Sequence, residues 1–301
     1  MTGTITAIGL LSPGDMGHSV GKVLVHHGMP VLTCLDGRSG RSASLAEEAG
    51  IDGVESLETL VQRVDVFLSI VPPARATEVA RRVADAVRSS NSDLIYLDCN
   101  AIAPETTKEV GRIVQDAGAR FVDGGIIGPP PKIDGPGPRI YVSGPDTESL
   151  MPLNDYGLDI RPIGDVIGHA SGLKMCYAAL TKGLTALGTE LLTAAEALGL
   201  SDPLHEEFEF SQKQLLEHFE RQVPGMPPKA YRWVGEMEEI AKTFEDVGMT
   251  PKILLGAADM YRLVGETPLA NETPETRSRG QTLQEVVAIL NEALPGNRVR
   301  A

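Results

Sequence analysis

The sequence predicts an α/β protein in which a doubly wound, parallel sheet is followed by an all-α domain. Short aliphatic and β-branched runs alternate with helical stretches through the first half, the order that builds a parallel sheet covered by helices on both faces. From 166 to 199 the chain is an almost unbroken run of good helix formers, and amphipathic stretches follow. Only 4% of the 301 residues are aromatic, against 32 glycines and 21 prolines, which suits aliphatic layers joined by tight turns. The expected domains are 1–164 and 165–301.

Each element follows from local pattern. Residues 4–11, TITAIGLL, read as a strand that breaks at Ser12-Pro13-Gly14, after which Met16 to Gly28 continue as a helix. A second apolar run, 30–35, ends at Asp36-Gly37-Arg38-Ser39, before a helix over 42–49. The unit repeats as strand 64–70 with helix 75–87, strand 94–98 with helix 104–118, and strand 120–122 before a turn at Asp123-Gly124-Gly125. The run 166–199 predicts one long buried helix. Helices over 204–222, 229–247, 251–264 and 282–294 complete the chain, the first opened by Ser201-Asp202-Pro203.

Charge and cysteine usage exclude several classes. With 27 Lys+Arg against 41 Asp+Glu the net charge is −14, unsuited to nucleic acid or anionic membrane. Cys34, Cys99 and Cys176 are widely spaced within apolar stretches and read as buried reduced thiols. No histidine or cysteine set has metal-ligand spacing, so no metal is expected. The first residues hold no basic segment ahead of an apolar core, and no apolar run reaches a membrane span, so a cytoplasmic protein is expected.

In a doubly wound sheet, ligands lie across the carboxyl ends of the strands, so the turns carry the chemistry. A dinucleotide pyrophosphate needs backbone N–H groups at a helix N-terminus, approached without an obstructing Cβ. Gly9 begins such a turn, and Ser12-Pro13-Gly14-Asp15-Met16-Gly17 fits GxGxxG with Ser12 at the first glycine position. A βα turn also uses glycine for its own geometry. After the second strand, Asp36 is followed by Arg38, Ser39 and Arg41, whose cations and hydroxyl suit a ribose 2′-phosphate, favouring NADP(H) over NAD(H). The alternative is that Arg38 and Arg41 are solvated surface charges.

These motifs, in this order, resemble the superfamily of 3-hydroxyacid dehydrogenases and 6-phosphogluconate dehydrogenases, which includes the imine reductases. Ile8 to Gly17 is similar to its cofactor fingerprint on a Rossmann-type domain, and 65–72 (DVFLSIVP) to the strand leading to the nicotinamide-side loop, implicating Val71 and Pro72. Residues 97–104 (LDCNAIAP) resemble its D-x-S-T-x-x-P segment, with Asn100 at the hydroxyl position to hold the nicotinamide ribose or carboxamide. Residues 121–128 (FVDGGIIG) resemble its DAPVSGG segment, implicating Gly125, Ile126, Ile127 and Gly128 in substrate binding. The runs 124–131 (GGIIGPPP) and 171–183 (SGLKMCYAALTKG) point to a less characterised branch with a phosphogluconate dehydrogenase-like C-terminal domain. Pro129, Pro130 and Pro131 donate no N–H, which argues against the family's usual carboxylate anchor; the run otherwise reads as a rigid loop.

The resemblance implies hydride transfer, with Lys174 matching the family lysine as general acid/base. The family asparagine is replaced by Tyr177 or Ala178; Tyr177 is either a proton donor or a packing residue. Lys182, two turns beyond Lys174, either binds an acidic substrate group or caps a subunit contact. His169 reads as a helix-start residue. The implied protein is an NADP(H)-dependent oxidoreductase acting on a small hydroxy or carbonyl compound as a homodimer. The alternatives are an imine reductase and a noncatalytic NAD(P)H sensor.

Overall fold

In the computed structural model residues 4–11, 13–273 and 276–298 are described, and internal contacts divide the chain into Met1–Met175 and Cys176–Ala301. The first unit runs β1 (Ile8–Leu10), α1 (Asp15–His26), β2 (Val31–Cys34), α2 (Gly40–Ala49), β3 (Asp52–Val54), α3 (Leu57–Gln62), β4 (Val66–Ser69), α4 (Ala76–Ser90), β5 (Ile95–Asp98), α5 (Pro104–Gln115), β6 (Arg120–Ile127), β7 (Arg139–Ser143) and β8 (Asp159–Pro162). The helix α6 (His169–Ala197) begins there and continues into the second unit. That unit adds α7 (Ser201–Ser211), α8 (Lys213–Gln222), α9 (Ala230–Asp246), α10 (Lys252–Gly265), α11 (Leu283–Ala293) and α12 (Pro295–Arg298).

Eight strands form one sheet in the order β3-β2-β1-β4-β5-β6-β7-β8. All neighbours pair in parallel except β6 and β7. Strand order reverses between β1 and β4, where the loops leaving the sheet open a crevice at its carboxyl edge. Alternate strand residues feed two cores. One face stacks Phe67, Tyr96 and Phe121 in register across β4, β5 and β6, with ring centroids 5.4 and 6.0 Å apart, against Val79, Val83, Val110 and Val114. The other packs Ile8, Leu10, Leu68, Leu97 and Val122 against α1 and α2.

The structure corrects several expectations. The turn expected at Asp123-Gly124-Gly125 is the middle of β6, because these glycines serve close approach rather than reversal. The sheet is not wholly parallel, since β7 returns antiparallel after the Gly/Pro-rich segment 128–138. Neither β7 nor β8 was expected, and β3 with α3 was also unexpected; β3 is too short and exposed to show a pattern. The helix expected over 204–222 is two, broken at Gln212 with φ −139° and ψ 36°.

Within the second unit, Thr185, Thr189 and Thr193 line the buried side of α6, each hydroxyl donating to the carbonyl four residues back. Gly188 admits the Phe219 ring, from which an added Cβ would lie only 2.4 Å. The opposite side corrects the expectation of a fully buried helix: Tyr177, Leu180 and Leu187 are 47%, 66% and 55% exposed. Cys176 is likewise exposed, whereas Cys34 and Cys99 are buried as expected.

Candidate active site

At the crevice, Gly14 caps α1 from an extended conformation, and a Cβ there would meet nothing within 4 Å. The space beside Gly14 is therefore open at the start of α1, the kind of helix N-terminus that a pyrophosphate approaches. Gly9 lies lower, in β1, where a Cβ would press on Val64 at 3.1 Å. Asp15 ion-pairs with Arg41 at 2.7 Å, which draws Arg41 toward α1. Ser12 lies outside the described residues.

The second turn places Asp36 in solvent and opens through Gly37 at φ +68°. Ser39 is committed as the N-cap of α2, accepting from the Ser42 N–H. Arg38 is half-buried, and its Nη2 is buried with no hydrogen-bond partner among the described residues. Burial first, then the positive charges of Arg82 and Arg75, hold its guanidinium below its ordinary value. Neither Arg75 nor Arg82 was expected from the sequence; the available signal was a basic residue closing V-P-P-A-R and another seven positions on along α4. A nicotinamide dinucleotide fits these residues, by the open helix end at Gly14 and the orphaned guanidinium at Arg38.

The loops after β4 and β5 are tied together by Asn100. Its Oδ1 accepts from the Val71 N–H at 2.7 Å, while Nδ2 donates to Ser69 Oγ at 3.0 Å and Asp98 Oδ2 at 2.9 Å. Only 1% exposed, this side chain is hydrogen-bonded within the protein through both its oxygen and its nitrogen. It sets the position of Val71 and Pro72.

Asp98 also accepts from the Asn100 N–H, yet burial, reinforced by the Asp123 charge, pushes its carboxyl from 3.8 to about 7. The folded carboxyl keeps its proton where the unfolded one has lost it, so the folded state binds more protons between those values and stability falls as pH rises through them. The denaturant midpoint of the sheet unit is expected to drop as pH rises from 3.8 toward about 7, less steeply in Asp98→Asn. Equal slopes in the two proteins would contradict this.

At β6, the Asp123 carboxylate accepts from the Gly168 and Ser171 N–H groups, from Ser171 Oγ and from Ser143 Oγ. Ser143 Oγ in turn accepts from the Ala170 N–H. Three N–H groups at the start of α6, which have no helical acceptors of their own, are thus satisfied by buried side chains from β6 and β7. These bonds tie the start of α6 to β6 and β7. Gly125 completes the seat, since a Cβ there would lie 2.6 Å from the Ala170 carbonyl and 3.2 Å from Lys174 Cβ. One turn on, half-buried Lys174 donates from Nζ to the Cys99 carbonyl at 3.0 Å and the Asn100 carbonyl at 3.1 Å. The segments 69–72, 98–101, 123–125 and 168–174 therefore converge on one lysine.

Residues 4–149 match the model of the NAD binding domain of 6-phosphogluconate dehydrogenase, and 195–264 match a domain of unknown function (DUF1932). An uncharacterized 28.5 kDa protein of Methanothermus fervidus is 27% identical over 260 residues, covering 86% of this chain and 99% of that protein. A solved conserved protein of unknown function, described as structurally similar to 3-hydroxyacid dehydrogenases, is 31% identical with a TM-score of 0.63, covering 86% and 99% of the two chains. The chain belongs to the 3-hydroxyacid and 6-phosphogluconate dehydrogenase-like superfamily. The fold is shared with Mycobacterium tuberculosis 3-hydroxyisobutyrate dehydrogenase at 19% identity, a TM-score of 0.70 and coverage of 95% and 99%. Members of this superfamily are NAD(P)-dependent oxidoreductases, and the chain carries their nicotinamide dinucleotide-binding domain.

The remaining expected residues of this dehydrogenase-like chain have varied surroundings. Ile126 is in the core beneath α1 and α2, and Ile127 is buried in the β6–β7 ladder opposite Arg139. Both are residues expected to bind substrate, and alternation along β6 sends their side chains to opposite faces of the sheet. Gly128 ends the strand at φ +135°, where a Cβ would crowd Pro138. Gly125 acts as a spacer beneath α6. Tyr177 is exposed on the apolar side of α6. Lys182 is ion-paired with Glu236, lies 5.6 Å from the centre of the Trp233 ring, and its carbonyl accepts from the Tyr261 hydroxyl. Glu236 is thus the acidic group that Lys182 meets within the chain. Among the described residues no group of three or more His, Cys, Asp or Glu is placed to hold a metal, and no helix is long and apolar enough to cross a membrane.

Proposed function

We propose that the protein is an NADP(H)-dependent oxidoreductase that exchanges hydride with a small hydroxy or carbonyl compound, with Lys174 as its general acid/base. The observation that carries this reading is the Lys174 ammonium, held by two backbone carbonyls at the carboxyl edge of β5. Bound NADP(H) would supply the hydride. Pro13 to Met16 would hold its pyrophosphate and Arg38 its 2′-phosphate, while Val71 and Pro72, fixed by Asn100, would shape the nicotinamide side.

Lys174 gives a proton to the carbonyl oxygen during reduction, offsetting the negative charge that develops there, and takes one from the hydroxyl during oxidation. The two carbonyl acceptors fix where that proton sits, and Asp123 fixes the helix that carries it. The absence of N–H donors at 129–131 supports a substrate held without the family's usual carboxylate loop. The reading includes a homodimer, supported by the exposed stripe of Tyr177, Leu180 and Leu187, continued by Leu184 and Leu191 at alternating three- and four-residue spacing.

A nucleotide-oxidation screen over hydroxyacids, aldehydes, ketones and cyclic imines tests the proposal. Turnover of a carbonyl compound with NADPH favoured over NADH is expected, and Arg38→Ala should reduce that preference by about tenfold or more through loss of a charge-assisted contact. Turnover confined to imines would replace the substrate class. Equal use of both nucleotides by the wild type would overturn the cofactor preference.

A further inference from the structure

Two guanidinium groups of the β4–α4 segment, those of Arg75 and Arg82, are near enough to Arg38 for their charges to act on it. Arg38 follows β2, Arg75 ends the short 3-10 turn Pro73–Arg75 after β4, and Arg82 lies two turns along α4. In the sheet β2 and β4 flank β1, so the loops leaving them face each other across the mouth of the β1 fingerprint turn. Like charges gathered this way repel, and the cost shows in Arg38, whose guanidinium is held down by burial and by both neighbours. One internal anion is in place: Glu78 holds Arg75 through both carboxylate oxygens, at 2.8 and 2.9 Å, and its charge also reaches Arg38. A single carboxylate leaves three cations undercompensated, and the buried Nη2 of Arg38 still lacks an acceptor among the described residues. Such a set suits a dianion with several acceptor oxygens, because guanidinium forks match phosphate geometry.

We propose that Arg75 and Arg82 join Arg38 in seating the phosphate on the adenosine ribose, so that discrimination between NADP(H) and NAD(H) is set from the β4–α4 segment as well as from the turn after β2. This rests on the NADP(H) reading above and assigns it to residues outside the usual second turn. Arg41, paired with Asp15, is not part of the seat. Glu78 holds Arg75 ready and is the counter-charge that the phosphate meets.

The test is fluorescence titration of the whole protein with NADPH and with NADH, together with competition by adenosine 2′,5′-bisphosphate, which carries the phosphate but no nicotinamide. Arg82→Ala and Arg75→Ala are each expected to weaken NADPH and the bisphosphate by about tenfold or more while leaving NADH unchanged. Arg82→Lys, which keeps the charge but loses the fork, should recover part of the loss. Retained NADH binding shows that each variant is folded. NADPH affinity unchanged in both alanine variants, or NADH weakened as much as NADPH, overturns the proposal while leaving the oxidoreductase reading intact. Equal wild-type affinity for the two nucleotides overturns this proposal and the NADP(H) preference together. Failure to bind either overturns the oxidoreductase reading as well.

Discussion

Replacing Lys174 with alanine is expected to lower kcat by about 10²- to 10⁴-fold, the usual contribution of a positioned general acid/base. NADPH affinity should stay within about twofold of wild type, because the loss falls on the transition state rather than on ground-state binding. Nζ is fixed by the Cys99 and Asn100 carbonyls after β5, whereas the proposed pyrophosphate and 2′-phosphate contacts lie at the first turn of α1 and the turn after β2. Steady-state kinetics and a nucleotide titration on the same variant separate the two effects. A variant that binds NADPH and turns over at wild-type rate would remove Lys174 from the chemistry.

The second large effect is on stability. Asp123 is 0% exposed and accepts four hydrogen bonds, two of them from backbone N–H groups at the start of α6. Asp123→Ala leaves those N–H groups buried without acceptors, and a cost of about 3–5 kcal/mol is expected for unmaking such a charged network. Asp123→Asn, which keeps an acceptor oxygen, should lose less. Urea denaturation followed by circular dichroism measures both, and an alanine variant as stable as wild type would show that β6 does not anchor α6. Because Lys174 is carried on the same first turns, the folded fraction of Asp123→Ala should also show a reduced kcat.

Much of the architecture was readable because it depends on local pattern. The β1 to β6 alternation follows from apolar runs punctuated by glycine and proline, and the fingerprint at Gly14 from the needs of a helix N-terminus. The antiparallel return through β7 was not readable, since the segment 128–138 carries turn residues throughout and no period. Gly124 and Gly125 misled for a physical reason: glycine marks reversal and close packing alike, and only tertiary neighbours distinguish them. Lys174 could be singled out because a single position of the family resemblance points to it. The influence of Arg75 and Arg82 on Arg38 was harder to read, because they lie far from Arg38 in sequence and near it only through the strand order. The sequence marks Asn100 but not the bonds of its carboxamide to Val71, Ser69 and Asp98, which join two loops. The exposed side of α6 escaped notice because a uniformly apolar helix shows a composition, not which of its sides the same chain covers.

The most direct test of the central claim is label transfer from NADPH deuterated at the nicotinamide C4 position to the product of any compound that the screen shows to be turned over. Deuterium is expected on the former carbonyl carbon of the product, from one face of the nicotinamide only, with its rate of transfer in Lys174→Ala lowered in step with kcat. Tight NADPH binding with no label transferred to any carbonyl or imine would contradict it and leave a nucleotide-sensing protein in its place.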